Sequence, residues 1–272
     1  LEIATLLDSG IFRIGGEKKS SFMRFMKRLL LLLACAFPAV LRAGPPFVTD
    51  DPEPVEYRHW EVYLASQLYH TAGTWSGTAP QIEVNYGAIP NLQLHLIVSD
   101  AFIAPVSGAK AMGMGDTELG AKYRFVQQTD YFPEIATFPL LELPTADQSR
   151  GLGDAHPQLY LPIWMQKDFG KWSTYGGGGY WINPGAANQN WWYMGWLVQR
   201  QITDHLALGT EVFHETAQVR FGQSSTYINT GGVWDLNDQD HILFSMGHTI
   251  QGQSGYQGYV AIQFTFGAEA KK

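Results

Sequence analysis

About twelve strand-like segments run from residue 60 to residue 266, joined by connectors that alternate between short and long. The short ones fall at 87–91, 127–133, 166–171, 200–205 and 235–240. The long ones fall at 71–80, 99–115, 145–157, 183–189, 216–225 and 250–256. An antiparallel barrel that crosses a bilayer has tight turns on one rim and longer loops on the other, and so generates this order. A soluble sandwich has no reason to keep the two connector classes in strict succession. The rhythm predicts an all-β chain: a transmembrane, antiparallel, up-and-down β-barrel of about 12 strands, spanning 60–266, with both termini on one side.

Composition narrows the choice. Only 16% of the 272 residues are charged, while nine Trp, thirteen Tyr and fifteen Phe give an aromatic share of 14%. That is too few charges and too many aromatics for a typical soluble protein. Beyond residue 43 no run of about 18 apolar residues occurs, so the membrane would be crossed by strands and not by helices. From Gly44 onward the chain holds eleven Lys/Arg against twenty-two Asp/Glu, a formal charge of −11. A nucleic-acid partner would call for the opposite sign.

The N-terminal region reads as an address. Met23 opens Met-Arg-Phe-Met-Lys-Arg, an apolar stretch covers 29–40, and Leu41-Arg42-Ala43 follows. A basic start, an apolar core and a small residue before the cut predict a secretory signal peptide over 23–43, cleaved after Ala43. Leu32-Leu33-Ala34-Cys35 also resembles a lipoprotein processing site, but leaves a short apolar core before the Cys. Residues 1–22 show no fold pattern, and Gly16-Glu17-Lys18-Lys19 must be encoded by a purine-rich run just upstream of Met23. Translation is therefore expected to start at Met23, with 1–22 a mis-annotated leader. Residues 44–59 form a Pro-rich lead, read as a periplasmic segment able to tuck into the barrel mouth. Residues 267–272 form a tail beyond the last strand.

Period-two alternation divides the strands into two faces. Trp60, Val62, Leu64 and Leu68 alternate with Glu61, Tyr63, Ala65 and Gln67. Leu94, Leu96 and Val98 alternate with Gln93, His95 and Ile97, and Leu119, Ala121, Tyr123 and Phe125 alternate with Glu118, Lys122 and Arg124. Val260, Ile262, Phe264 and Phe266 alternate with Ala261, Gln263 and Thr265. Lipid accepts the first set of each strand, and the second set faces the interior. Leu243 and Val233 break the pattern by falling on inner faces. Trp60, Trp164, Trp172, Trp181, Trp191, Trp192, Trp234 and Phe266 lie near strand ends, where aromatic rings meet headgroups as two girdles. The glycines 176–179 read as a site of close packing or strong coiling.

The inward charges are the best functional candidates. Glu61, Glu83, His95, Glu118, Lys122, Arg124, Glu142 and Glu211 fall on the lumen side, where charges select solutes. Equally, they could form a salt-bridge network that fills a narrow barrel. The paired segments Gly113-Met114-Gly115-Asp116 and Gly151-Leu152-Gly153-Asp154 read either as turns or as a divalent-cation site, and the turn reading is preferred. No metal or other cofactor is expected. Ser245 and His248 are three residues apart on one strand and so on opposite faces, which rules them out as a nucleophile–base pair. No other histidine carries a nucleophile signature, and the chain is not expected to be an enzyme.

Pro46-Phe47-Val48-Thr49-Asp50-Asp51-Pro52, then Trp60-Glu61, then the two Gly-x-Gly-Asp segments running into Lys122-Tyr123-Arg124-Phe125, carry a family likeness. In these the chain resembles the outer-membrane family labelled "putative meta-pathway of phenol degradation", a group of transporter-like barrels. The resemblance covers most of the chain after the signal. It implies a barrel in the outer membrane of a Gram-negative bacterium, linked in some members to uptake of aromatic compounds, and it assigns no site residue. The closing Gln263-Phe264-Thr265-Phe266 is similar to the aromatic-terminated signal read by barrel-assembly machinery. The expected partners are outer-membrane lipid, that machinery and a small-molecule solute. The expected function is passive transport of small solutes, aromatic or apolar among them. The alternatives are a non-conducting structural or adhesion barrel and, behind it, a lipid-modifying enzyme.

Overall fold

The computed structural model describes residues 46–267. The leader 1–22, the signal peptide 23–43 and the tail after Gly267 lie outside the described residues.

Fourteen strand segments form one sheet: β1 (His59–Thr71), β2 (Thr74–Ile89), β3 (Leu92–Pro105), β4 (Ala111–Met114), β5 (Thr117–Val126), β6 (Glu134–Thr137) and β7 (Leu140–Leu143) in its first half. The second half comprises β8 (Gln158–Phe169), β9 (Trp172–Ile182), β10 (Trp191–Thr203), β11 (Leu206–Glu215), β12 (Ser225–Asp235), β13 (Asp240–Gln251) and β14 (Gly255–Gly267). β4 and β5 continue one stave broken at Gly115-Asp116, and β6 and β7 another broken at Phe138-Pro139, so the wall has twelve staves. Proline has no N–H to give the ladder. Its carbonyl still accepts from the Ala121 N–H at 3.2 Å, while Phe138 turns into the lumen.

Every neighbouring pair is antiparallel. The ring closes where β1 meets β14 over thirteen residues, from His59↔Gly267 to Thr71↔Gly255. β3 pairs with β5 and β5 with β6 and β7, which in turn reach β8. Closure leaves no free sheet edge at the β1–β14 seam, which is the condition for backbone to sit in hydrocarbon.

The alternation holds along the strands. In β1, Tyr63 and Ala65 are buried while Trp60, Leu64 and Leu68 are exposed. In β14, Ala261, Gln263 and Thr265 are buried between exposed Val260, Ile262, Phe264 and Phe266. Leu243, expected on the inner face, is buried there against Tyr63, Ala65 and Ala261, with Val233 packed beside them.

Two expectations need correction. The connectors 71–80, 99–115 and 250–256 are mostly strand, leaving turns only at 72–73, 106–110 and 252–254. Their Thr, Ala, Gly and Pro content looks loop-like, but the extended strands pair with each other above the apolar belt, as Thr74–Thr78 does with 67–71 and 101–105. A register shift between Thr78 and Gln81 absorbs Ala79-Pro80 as a bulge. Only 144–157, 183–190 and 216–224 remain long loops. The aromatic girdle is also thinner than expected. Trp60, Trp172, Trp192, Trp234 and Phe266 face outward, but Trp164, Trp181 and Trp191 belong to the interior, where they pack with Tyr160, Tyr193 and Phe213. The β8–β10 stretch puts them on the inner parity, and proximity to a strand end does not override parity.

The glycine run lies where β9 passes between β8 and β10. A Cβ on Gly177 would stand 2.1 Å from the carbonyl oxygen of Ile163, and one on Gly176 would stand 2.6 Å from the Trp196 ring. Gly177→Val should therefore abolish assembly, read as loss of the fast-migrating unboiled band on SDS gels. Gly258→Ala, whose methyl would meet nothing closer than 3.7 Å, should retain that band.

Candidate functional site

The lumen is divided by its own N-terminal segment. From the rim where β1 begins and β14 ends, the lead rises from a parallel bridge between Tyr57 and Gly87. Val55 N–H donates to Gln93 Oε1 at 2.9 Å. Higher up, Lys122 Nζ sits 3.0 Å from Asp50 Oδ1 and 3.6 Å from Asp51 Oδ1, and 4.9 Å above the Phe138 ring. Thr49, Asp51 and Pro52 are fully buried.

Glu211 fastens the top of this segment. Its carboxylate receives the Val48 N–H on Oε1 at 3.0 Å and the Thr49 N–H on Oε2 at 2.7 Å, while Asn229 Nδ2 donates to Oε1 at 2.6 Å. Ionised acceptors make the stronger hydrogen bonds. Tyr193 donates its hydroxyl to the Val48 carbonyl at 2.7 Å, and Ser245 donates to that of Pro46 at 2.6 Å. Phe47 packs on Tyr175 and Leu197. Glycine makes the room: a Cβ on Gly195 would lie 2.0 Å from Thr49 Oγ1. The lead was expected at the mouth; it reaches mid-lumen because buried acceptors on opposite walls hold it at both ends.

The wall residues fall into two classes. β8–β12 present the aromatic cluster, in which Tyr160 stacks on Trp181 at 4.8 Å and Phe213 on Tyr227 at 4.6 Å. β1–β5 present polar groups. Five of the eight sequence candidates, Glu61, Glu83, His95, Glu118 and Lys122, line one cavity of about 140 Å³ together with Asp50 and Glu53 of the lead. His95 Nε2 lies 2.9 Å from Glu118 Oε1, and Nδ1 lies 2.7 Å from Asn85 Oδ1 and 3.6 Å from Glu83 Oε1. Asn85 also donates to Glu83 at 2.8 Å, and Tyr63 donates to Glu61 at 2.8 Å.

The other three candidates do not line this cavity. Arg124 donates to Glu134 at 3.0 Å and to Asn91, near the rim where β1 begins and β14 ends. Glu142 stands opposite Glu118 in the β5–β7 ladder, next to the end of β7, and Glu211 is the clamp on the lead. Asn85 and Gln93 share the inner parity of Glu83 and His95, so alternation could have found them. The role of Tyr193 carried no signal, because its partner is a backbone carbonyl 145 residues away.

The two Gly-x-Gly-Asp segments meet each other. Asp116 accepts the Ala146 N–H at 3.0 Å and the Asp154 N–H at 2.6 Å, tying down the 144–157 loop. These bonds cross between the two segments and do not close a turn on their own backbone, and of the four glycines only Gly151 has a positive φ, at 73°. Asp116, Glu142 and Asp154 are the carboxylates among the described residues whose grouping could hold a metal ion. Burial, then the Asp116 charge, raises the Asp154 carboxyl above its ordinary value. Ser245 points inward to the lead, whereas His248 is exposed on the outer face.

No protein-family model matches the sequence, and no curated protein sequence matches it. Solved structures do. The COG4313 outer membrane channel from Pseudomonas putida F1 is 14% identical, with a TM-score of 0.67 over 83% of this chain and 100% of that one. The NanC porin is 7% identical, with a TM-score of 0.55 over 75% and 98%. The KdgM porin, solved with oligogalacturonate, is 9% identical, with a TM-score of 0.51 over 75% and 99%. At these identities the likeness concerns the fold, which is that of outer-membrane channel barrels.

Glu211→Ala leaves two lead N–H groups and Asn229 without their acceptor. At about 1.5–3 kcal/mol per charge-assisted bond, the unseated fraction should rise at least about tenfold, read as added open events in planar-bilayer recordings. Glu211→Gln, which keeps one oxygen acceptor, should have a smaller effect. Acidity should act oppositely. Glu53 of the lead is pushed from 4.5 to about 7 by burial and then by the Glu134 charge, with Asp168 adding to the rise and Arg124 and Lys122 opposing it. A released lead would ionise at the ordinary value, so the seated form holds an extra proton between about pH 4.5 and 7. Seating should tighten as pH falls through 7, and open events should become rarer between pH 8 and 5.

Proposed function

We propose that the chain is an outer-membrane channel for passive movement of small solutes, with the lead as a resident plug that leaves a narrow path along the β1–β3 wall. One observation carries this reading. A second cavity of about 200 Å³ lies beside the first, and Phe47, Val48, Glu83 and Ile97 line both. The two spaces thus flank a waist formed by the lead on one side and Glu83 on the other. A barrel built only to be filled would gain from closing that space, since unfilled volume forfeits packing contacts.

The exposed apolar outer face, with outward Trp60, Trp172, Trp192 and Trp234, supports residence in the outer membrane, where lipid is the partner of the wall. The interior charges support the selectivity role expected for Glu83, His95, Glu118 and Lys122 in particular, because these surround the path. Glu61 joins them, while Arg124, Glu142 and Glu211 act on the mouth, the far loop and the plug. For aromatic or apolar solutes, the class implied by the sequence resemblance, support comes from the aromatic inner wall of Tyr160, Trp181 and Trp191, whose rings stack on one another. The second reading, a non-conducting barrel, is favoured by the many fastenings of the lead.

Solute flux into liposomes containing the processed chain separates these readings. Entry of small solutes, increased by Glu211→Ala, is the expected outcome. No entry through either the parent or Glu211→Ala, in samples that keep the folded gel mobility, would establish the non-conducting barrel instead.

A further inference from the structure

The cavity of about 200 Å³ has a chemistry unlike the rest of the lumen. Its polar lining comes mainly from β1, β2 and β14, as Gln67, Tyr69, Gln81, Gln257 and Tyr259, with Ser245 of β13 beside them. Phe47 of the lead and Ile97 of β3 add apolar surface. No Lys, Arg or His lines it, and its one carboxylate, Glu83, already accepts from Asn85 at 2.8 Å. An anion entering here would find no counter-charge, and a cation would find only a carboxylate that is already engaged. The space favours a neutral solute.

The hydrogen-bonding groups say more. Gln257 Nε2 and the Tyr259 hydroxyl are buried without a partner among the described residues. Tyr69 donates to the Gln67 oxygen at 3.0 Å, and Thr78 donates to the Gln81 oxygen at 3.0 Å. Those bonds occupy the carboxamide oxygens and leave the two NH2 groups to be placed elsewhere. Two buried donors without acceptors, on Gln257 and Tyr259, are costly, and a site that holds them rewards a ligand that supplies oxygen atoms. A purely apolar solute would leave them unpaired. The volume is small beside the roughly 300–1,000 Å³ of pockets for drug-sized ligands.

We propose that this cavity is a binding site for a neutral, polyhydroxylated solute no larger than a monosaccharide, whose hydroxyl groups meet Gln67, Gln81, Gln257 and Tyr259 and whose C–H face rests on Phe47. The inference rests on the channel reading for its place on a permeation path, and it departs from the aromatic class. Because Phe47 belongs to the lead, the seated plug completes the site. Glu83, on the border with the acidic cavity of about 140 Å³, turns anions back.

The test is saturation-transfer NMR on the purified barrel in detergent, with glucose, gluconate and benzoate as probes. Glucose should receive saturation, with affinity at least about tenfold above that of gluconate, a solute of similar size carrying one negative charge. Gln257→Leu and Tyr259→Phe should each reduce glucose binding severalfold while keeping the folded gel mobility, the second by removing a single hydroxyl. Equal binding of glucose and gluconate, preference for benzoate, or glucose binding unchanged in both variants would overturn the proposal. Binding in micelles does not depend on conduction, so the two readings fail separately. Glucose bound, with no probe carried into liposomes by the parent or Glu211→Ala, would sink the channel and leave the site standing. Benzoate carried without any glucose binding would sink the site and leave the channel.

Discussion

Hydrocarbon offers no partner to a backbone N–H or carbonyl, so a strand wall in a bilayer must return to its own beginning. Here the thirteen-residue pairing of β1 with β14 meets that demand. The other features follow from it. Closure makes the side-chain alternation an inside–outside code, gives the molecule a lumen, and places the lead, which precedes β1, at the mouth of that lumen. The two broken staves show how strictly the demand is met: Pro139 cannot donate, yet its carbonyl still serves Ala121 across the break.

A twelve-stave barrel encloses more space than its inward side chains fill, and the lead takes much of the remainder. Its seat is electrostatic on Lys122 and on Glu211, with Phe47 packed just beyond on Tyr175 and Leu197. Such a seat differs in kind from the wall. The wall is held by long ladders, while the lead is held by a few strong contacts between groups that titrate or can be exchanged singly. Releasing the lead would therefore ask nothing of the barrel itself. The glycine at 195 belongs to the same design, since any side chain there would occupy the position of Thr49.

Much of this was legible in the chain. Val62, Leu64, Val260 and Ile262 against Ala65, Gln263 and Thr265 told which face met lipid, because a strand permits only two directions. The inward parity of Glu83, His95, Glu118 and Lys122 placed them in the lumen without naming their partners. Trp164 and Trp191 were misread where a positional habit of aromatics was set above parity. The segment from Thr74 to Thr78 was misread because strand pairing beyond the apolar belt tolerates residues that look like turns.

The sequence by itself determined the class of the molecule, the number of staves and the facing of most side chains, since each depends on local periodicity and on the chain's apolar content. Only the tertiary structure decided what the lumen holds. Val48 and Thr49 reach Glu211 across more than 160 residues, and the two Gly-x-Gly-Asp segments find each other across 38. Neither contact has a local signature, because both depend on how the closed wall brings distant staves around a common axis. The same geometry gathered Gln67, Gln81, Gln257 and Tyr259, from the two ends of the chain, around one small cavity.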